Sequence, residues 1–167
     1  MMKFFFEQSF WSSRSVLFLL LISTLTSCDS NVIFDKNEKL PDNRWAANNI
    51  IELHPEIIDT IHPYNIYINV RNAGGYQFSN IFLFFTTTTP SGKTDRDTVE
   101  IMLADETGKW LGDGLGDIWD NSVLFKSDFV FPEKGEYTFS LQQAMRFDPL
   151  PQIMDVGLRI ERVEEEK

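Results

Sequence analysis

Tyr64-Asn65-Ile66-Tyr67-Ile68-Asn69-Val70-Arg71 alternates apolar and polar residues without a break. A period of two places Tyr64, Ile66, Ile68 and Val70 on one face of an extended chain and the polar residues on the other, which is the pattern of a half-buried strand. Ala73-Gly74-Gly75 ends the run with residues that tolerate a turn.

The same period recurs on both sides of this strand. Upstream, Ile51 and Leu53 alternate with Ile50 and Glu52. Downstream, Ile81-Phe82-Leu83-Phe84-Phe85-Thr86-Thr87-Thr88-Thr89 is aromatic and β-branched throughout, so it reads as a central strand buried on both faces where apolar. Pro90-Ser91-Gly92-Lys93 makes a turn, and Val99, Ile101 and Leu103 return in alternation, predicting a hairpin. Residues 105–121 are glycine-rich and read as a loop, after which Ser122 to Phe131 is extended. Pro132-Glu133-Lys134-Gly135 is a strong turn signal, with proline setting φ and glycine closing the turn. Tyr137, Phe139 and Leu141 mark another strand, Gln142 to Met145 a single helical turn, and Val156, Leu158 and Ile160 the last strand. About eight short strands and no helix of ten residues predict an all-β fold, an antiparallel β-sandwich with immunoglobulin-like or jelly-roll connections.

The N-terminus has a different character. Lys3 and Arg14 precede the apolar run Val16 to Ile22, which has the length of a secretory core and is too short to span a bilayer. Leu25-Thr26-Ser27-Cys28 follows, a branched apolar residue and two small ones before the only cysteine, as in a bacterial lipobox. Residues 1–27 are therefore expected to be a lipoprotein signal peptide, with Cys28 as the site of lipid attachment. Stable anchoring takes two or more acyl chains, because one binds only marginally. Residues 28–47 read as the acylated N-terminus and a tether, with a short edge strand at Val32-Ile33-Phe34 and Trp45 against the domain edge. The sandwich is expected over 48–163 and a charged tail over 164–167. The formal net charge is −10, and removing Lys3, Arg14 and Glu7 with the signal makes it one unit more negative. An acidic chain without clustered Lys and Arg excludes nucleic acid as a partner.

Few residues suggest chemistry. There is no Gly-x-Ser-x-Gly elbow, and the only thiol is assigned to lipid. His54 and His62 lack a third ligand fixed by spacing, so no metal site is expected. Trp110, Asp113, Asp117, Trp119 and Asp120 stand out within Gly108 to Asn121. The three aspartates offer oxygen ligands of the kind calcium takes, without EF-hand spacing, so calcium is the one ion considered and no cofactor is expected. Paired carboxylates there also suit glycoside hydrolysis, but no supporting shell is visible. The two tryptophans either form a sugar-stacking platform or pin a long loop to the core, and in both cases the loop is the candidate interaction site.

Several segments together resemble one family. They are Thr86-Thr87-Thr88 leading into Pro90-x-Gly92-Lys93, then Leu103-Ala104-Asp105, Gly108-Lys109-Trp110-Leu111-Gly112 and Gly114-Leu115-Gly116-Asp117-Ile118. Phe131-Pro132-Glu133-Lys134-Gly135, Gln143-Ala144-Met145-Arg146 and Asp148-Pro149-Leu150-Pro151-x-Ile153-Met154-Asp155-Val156-Gly157 continue the match. With the lipobox, they are similar to the gliding-motility lipoprotein GldH family. The resemblance implies a lipid-anchored envelope protein, expected at the outer membrane and facing the periplasm. It implies a non-catalytic structural or interaction role beside other envelope lipoproteins, gliding-machinery proteins and the associated secretion machinery. The alternative is a carbohydrate-binding β-sandwich module on an envelope lipoprotein.

Overall fold

The computed structural model describes residues 31–164; the expected signal peptide, Cys28 and the expected charged tail from residue 165 on lie outside them. The strands are β1 (Val32–Lys39), β2 (Arg44–Trp45), β3 (Ile51–Leu53), β4 (Glu56–Ile57), β5 (Tyr64–Ala73), β6 (Asn80–Thr88) and β7 (Thr94–Met102). They continue as β8 (Asp113–Leu115), β9 (Ile118–Phe129), β10 (Gly135–Glu136), β11 (Thr138–Gln143), β12 (Leu150–Pro151) and β13 (Ile153–Arg162). One sheet has the order β1-β13-β5-β9-β8 and the other β3-β11-β6-β7, while β10 pairs with β4 and β12 with β2. Every pairing is antiparallel, and the two larger sheets form a β-sandwich.

The alternation of β5 decides the packing. Tyr64, Ile66, Ile68 and Val70 are all buried on its inner face, where they join Leu158 and Ile160 of β13 in one core with Leu83, Phe85, Phe139 and Leu141 of the facing sheet. Phe85 bridges the layers, its ring centroid 4.5 Å from Phe125 of β9 and 5.5 Å from Phe139 of β11. Phe131 holds one end, 5.4 Å from Tyr64 and 5.0 Å from Tyr137. Each such fully buried side chain contributes about 1.5–3 kcal/mol.

Four expectations are corrected. The short edge strand expected at Val32-Ile33-Phe34 is present but runs on to Lys39 as β1, paired with β13 along its length, so residues 32–39 are no tether, and Trp45, expected at the domain edge, is fully buried. The sandwich therefore starts at residue 32 instead of 48. β6 is central in its sheet but buried on one face only, with Ile81, Leu83 and Phe85 inward. Of its outward aromatics, Phe84 lies under the Arg96 guanidinium, 4.1 Å from the ring centroid, while Phe82 is exposed. The glycine-rich segment is not a plain loop, because β8 and the start of β9 make a hairpin within it. Gln142 to Met145 forms no helical turn. Gln143 ends β11, and its side chain braces the bend beyond by accepting the Met145 amide at 2.8 Å and donating to the Phe147 carbonyl at 3.1 Å.

Candidate functional site

The five candidates from the loop reading come together around the β8–β9 hairpin. Its tip, Gly116-Asp117, is a two-residue connection with Gly116 at φ +67°, the position that a type II′ turn gives to glycine. The Asp117 carbonyl accepts the Gly74 amide at 2.8 Å, so the tip docks on the turn that ends β5. Trp119 lies across Gly114, where any side chain would overlap its ring. Trp110, bridged to Ala104, stacks beside it with ring centroids 6.4 Å apart. Trp110 also packs on the buried core. Trp119 thus spends one face on Gly114 and Trp110 packs on the core, and with their planes tilted by 31° the two rings do not form one flat platform.

The aspartates have separate surroundings. Asp113 faces Asp120 across the hairpin, and Asp120 is held by the Arg71 Nε of β5. Asp117 sits at the tip, its carboxylate close over Gly74. Among the described residues no group of three His, Cys, Asp or Glu is gathered as a metal would need. The histidines also have different partners, Thr138 for His54 at 3.2 Å and Asp59 for His62 at 2.6 Å.

Sequence reasoning missed the outer face of the five-stranded sheet. Register sets polar residues there in rows across β1, β13, β5 and β9. One row runs Lys39, Asp155, Arg71, Asp120, and the next Asn37, Gly157, Asn69, Ser122. Arg71 Nη1 donates to Asp155 at 3.0 Å. Burial pushes the Asp155 carboxyl above its ordinary range, and the Arg71 charge opposes that shift. Asn69 donates to Asn37 at 3.1 Å and accepts from the Ser122 hydroxyl at 2.8 Å. These rows floor an open cleft of about 790 Å³, walled by Met102, Leu111 and Leu124. The alternation of polar residues along β5 was the available signal, but nothing local tells which strands lie beside it.

Most of what is apolar and exposed lies at the two ends. Leu115 at the hairpin tip is 86% exposed, with Leu111 and Ile118 exposed nearby. β5 and β9 run about 3.3 Å per residue, which puts this tip roughly 35 Å from the end where Val32, Arg162, Tyr64 and Phe129 lie side by side.

A family model described as GldH lipoprotein matches residues 32–160. A gliding motility lipoprotein GldH homolog of Christiangramia forsetii is 34% identical over 153 residues, covering 87% of this chain and 93% of that protein. The gliding motility lipoprotein GldH of Flavobacterium johnsoniae is 33% identical over 156 residues, covering 89% and 96%. No solved structure matches the chain.

Proposed function

The chain belongs to the GldH lipoprotein family, and from that membership we propose that it is a lipid-anchored, non-catalytic component of the gliding-motility apparatus and its associated secretion machinery. The lipid is attached at Cys28, and the domain faces the periplasm from the outer membrane. Its work is to hold another envelope protein in place, and the observation that carries this reading is the β8–β9 hairpin. Leu111, Leu115 and Ile118 are exposed there, on a tip made rigid by the paired tryptophans and the Gly74 contact. Large apolar side chains exposed together mark interaction sites, because covering them removes apolar surface from water. The test is in-cell cross-linking with a photoreactive residue at Leu115 and, as control, at Asp95 on the outer edge. The expected result is capture of another envelope lipoprotein or a gliding-machinery protein from Leu115 only. Equal capture from both positions, or none, overturns the assignment to the hairpin.

A second reading draws support from the outer-face cleft. Its amides, carboxylates and guanidinium, from Asn37, Asn69, Arg71, Asp120 and Asp155, are the groups that pair with sugar hydroxyls. On that reading the purified domain retains an insoluble envelope glycan, and Asn69→Ala abolishes retention. Trp110→Ala leaves it unchanged, because the tryptophan lies outside the cleft lining.

A further inference from the structure

The end of the sandwich opposite the hairpin carries the two next most exposed large apolar side chains among the described residues. Between β4 and β5 the chain runs Ile58-Asp59-Thr60-Ile61-His62-Pro63, and Ile58 and Ile61 are 73% and 81% exposed. Among the described large apolar residues only Leu115, at the far end, is more open. Single exposed isoleucines need no explanation, but two on one short loop do.

This loop is held in shape. The Asp59 carboxylate accepts the Ile61 amide at 2.8 Å and pairs with the His62 ring at 2.6 Å and the Arg162 guanidinium at 3.0 Å. The Ile61 amide, followed by the His62 ring, holds its carboxyl down at about 2. Tyr64 donates its hydroxyl to the Asp59 carbonyl at 3.2 Å. The acid is thus compensated from within, and the tip presents two aliphatic side chains with Thr60 between them.

Its place in the chain says what it faces. Arg162, which pairs with Asp59, also donates its amide to the Asn31 carbonyl at 2.8 Å, so the loop adjoins the point where the N-terminal segment joins the domain. Only Asp29 and Ser30 stand between Asn31 and Cys28. Three residues extend at most about 11 Å, which is no more than the depth of a headgroup layer. A tether of some twenty residues would let the domain drift far from the bilayer, whereas three residues keep this end of the sandwich within reach of the leaflet that holds a lipid at Cys28.

We propose that the Ile58–Ile61 loop docks into the interfacial layer of the same leaflet that holds the lipid anchor. It seats both isoleucines among the headgroups and stands the sandwich upright, with the β8–β9 hairpin directed away from the membrane. The proposal rests on lipid attachment at Cys28, as given under the proposed function. Because the lipid makes docking intramolecular, two side chains are enough to bias the orientation.

The test uses the full-length lipidated protein in phosphatidylethanolamine–phosphatidylglycerol vesicles. With the Cys28 sulfur acylated, Ile61→Cys adds one free thiol for an environment-sensitive nitrobenzoxadiazole label, and Leu115→Cys provides the control. The expected result is a blue-shifted label at position 61, quenched by nitroxide lipids, beside an aqueous spectrum at position 115. Adding Ile58→Glu should return the position-61 signal to the aqueous one. If both labels read as aqueous while the protein floats with the vesicles, docking is wrong and the anchor stands. Failure to float, with a reactive thiol in the unsubstituted protein, overturns the anchor and docking together.

Discussion

Gly157 lies in β13 between Asn37 of β1 and Asn69 of β5, and the two amides bond to each other over it. A methyl group there would overlap both the Asn37 side-chain oxygen and the Lys36 carbonyl. The backbone carbonyl cannot step aside without breaking the β1–β13 ladder. Gly157→Ala should therefore cost about 1–3 kcal/mol, as overpacking does, seen as a fall in Tm of roughly 5 °C or more in thermal unfolding of residues 29–167. Asn37→Ala should recover part of the loss by removing one of the two clashes. In the sequence Gly157 merely takes an outward position in the alternation of Val156, Leu158 and Ile160 and ends a family motif, because its physical reason lies 120 residues upstream in Asn37. Asp120 is similar. Its position in a glycine-rich loop suggested an ion ligand, while its partner, Arg71, is brought beside it only by the β5–β9 register.

Strands with one buried face and regular alternation, such as β5, β11 and β13, were readable from sequence because burial alone writes that pattern. β1 was readable only at its apolar start, Val32 to Phe34, since the rest of this edge strand carries charges on both faces and almost none of that pattern. β6 misled for the opposite reason: Phe82 and Phe84 face outward, Phe82 exposed and Phe84 under the Arg96 guanidinium, so a run of aromatic residues did not mean burial on both faces. In the β8–β9 hairpin, glycine marked a loop when it was making room for Trp119. Trp119→Ala should remove the ring that Gly114 and Trp110 pack on. Burial is partial, so the cost is about 2 kcal/mol, below the 3–5 of a fully buried tryptophan. The loss should be local: faster amide exchange over residues 113–117 in β8 and the turn, with β5 amides unchanged. Retention of an envelope glycan should not respond, which separates packing from sugar stacking at this ring.

At the scale of the whole domain, the all-β class and the paired layers followed from periodicity, and the family from short motifs spread along the chain. Strand order did not follow, because the pairings that define it join distant segments, and β1 with β13 joins the two ends of the described chain. That last pairing has a mechanical meaning. β1 starts four residues after Cys28, the proposed lipid site, and lies along β13 from Val32 to Lys39, so a pull between a lipid there and a partner on the hairpin would run parallel to the strands. Backbone bonds perpendicular to that line are sheared together. A pull between the N- and C-termini instead parts Asn31 from Glu164 and opens the same ladder one bond at a time. In single-molecule stretching, attachment at the N-terminus and residue 115 should give a clearly higher rupture force than attachment at the two termini. Equal forces would refute this geometry. A load between a lipid at Cys28 and a partner on the hairpin would then meet the β1–β13 ladder in shear, its stronger direction.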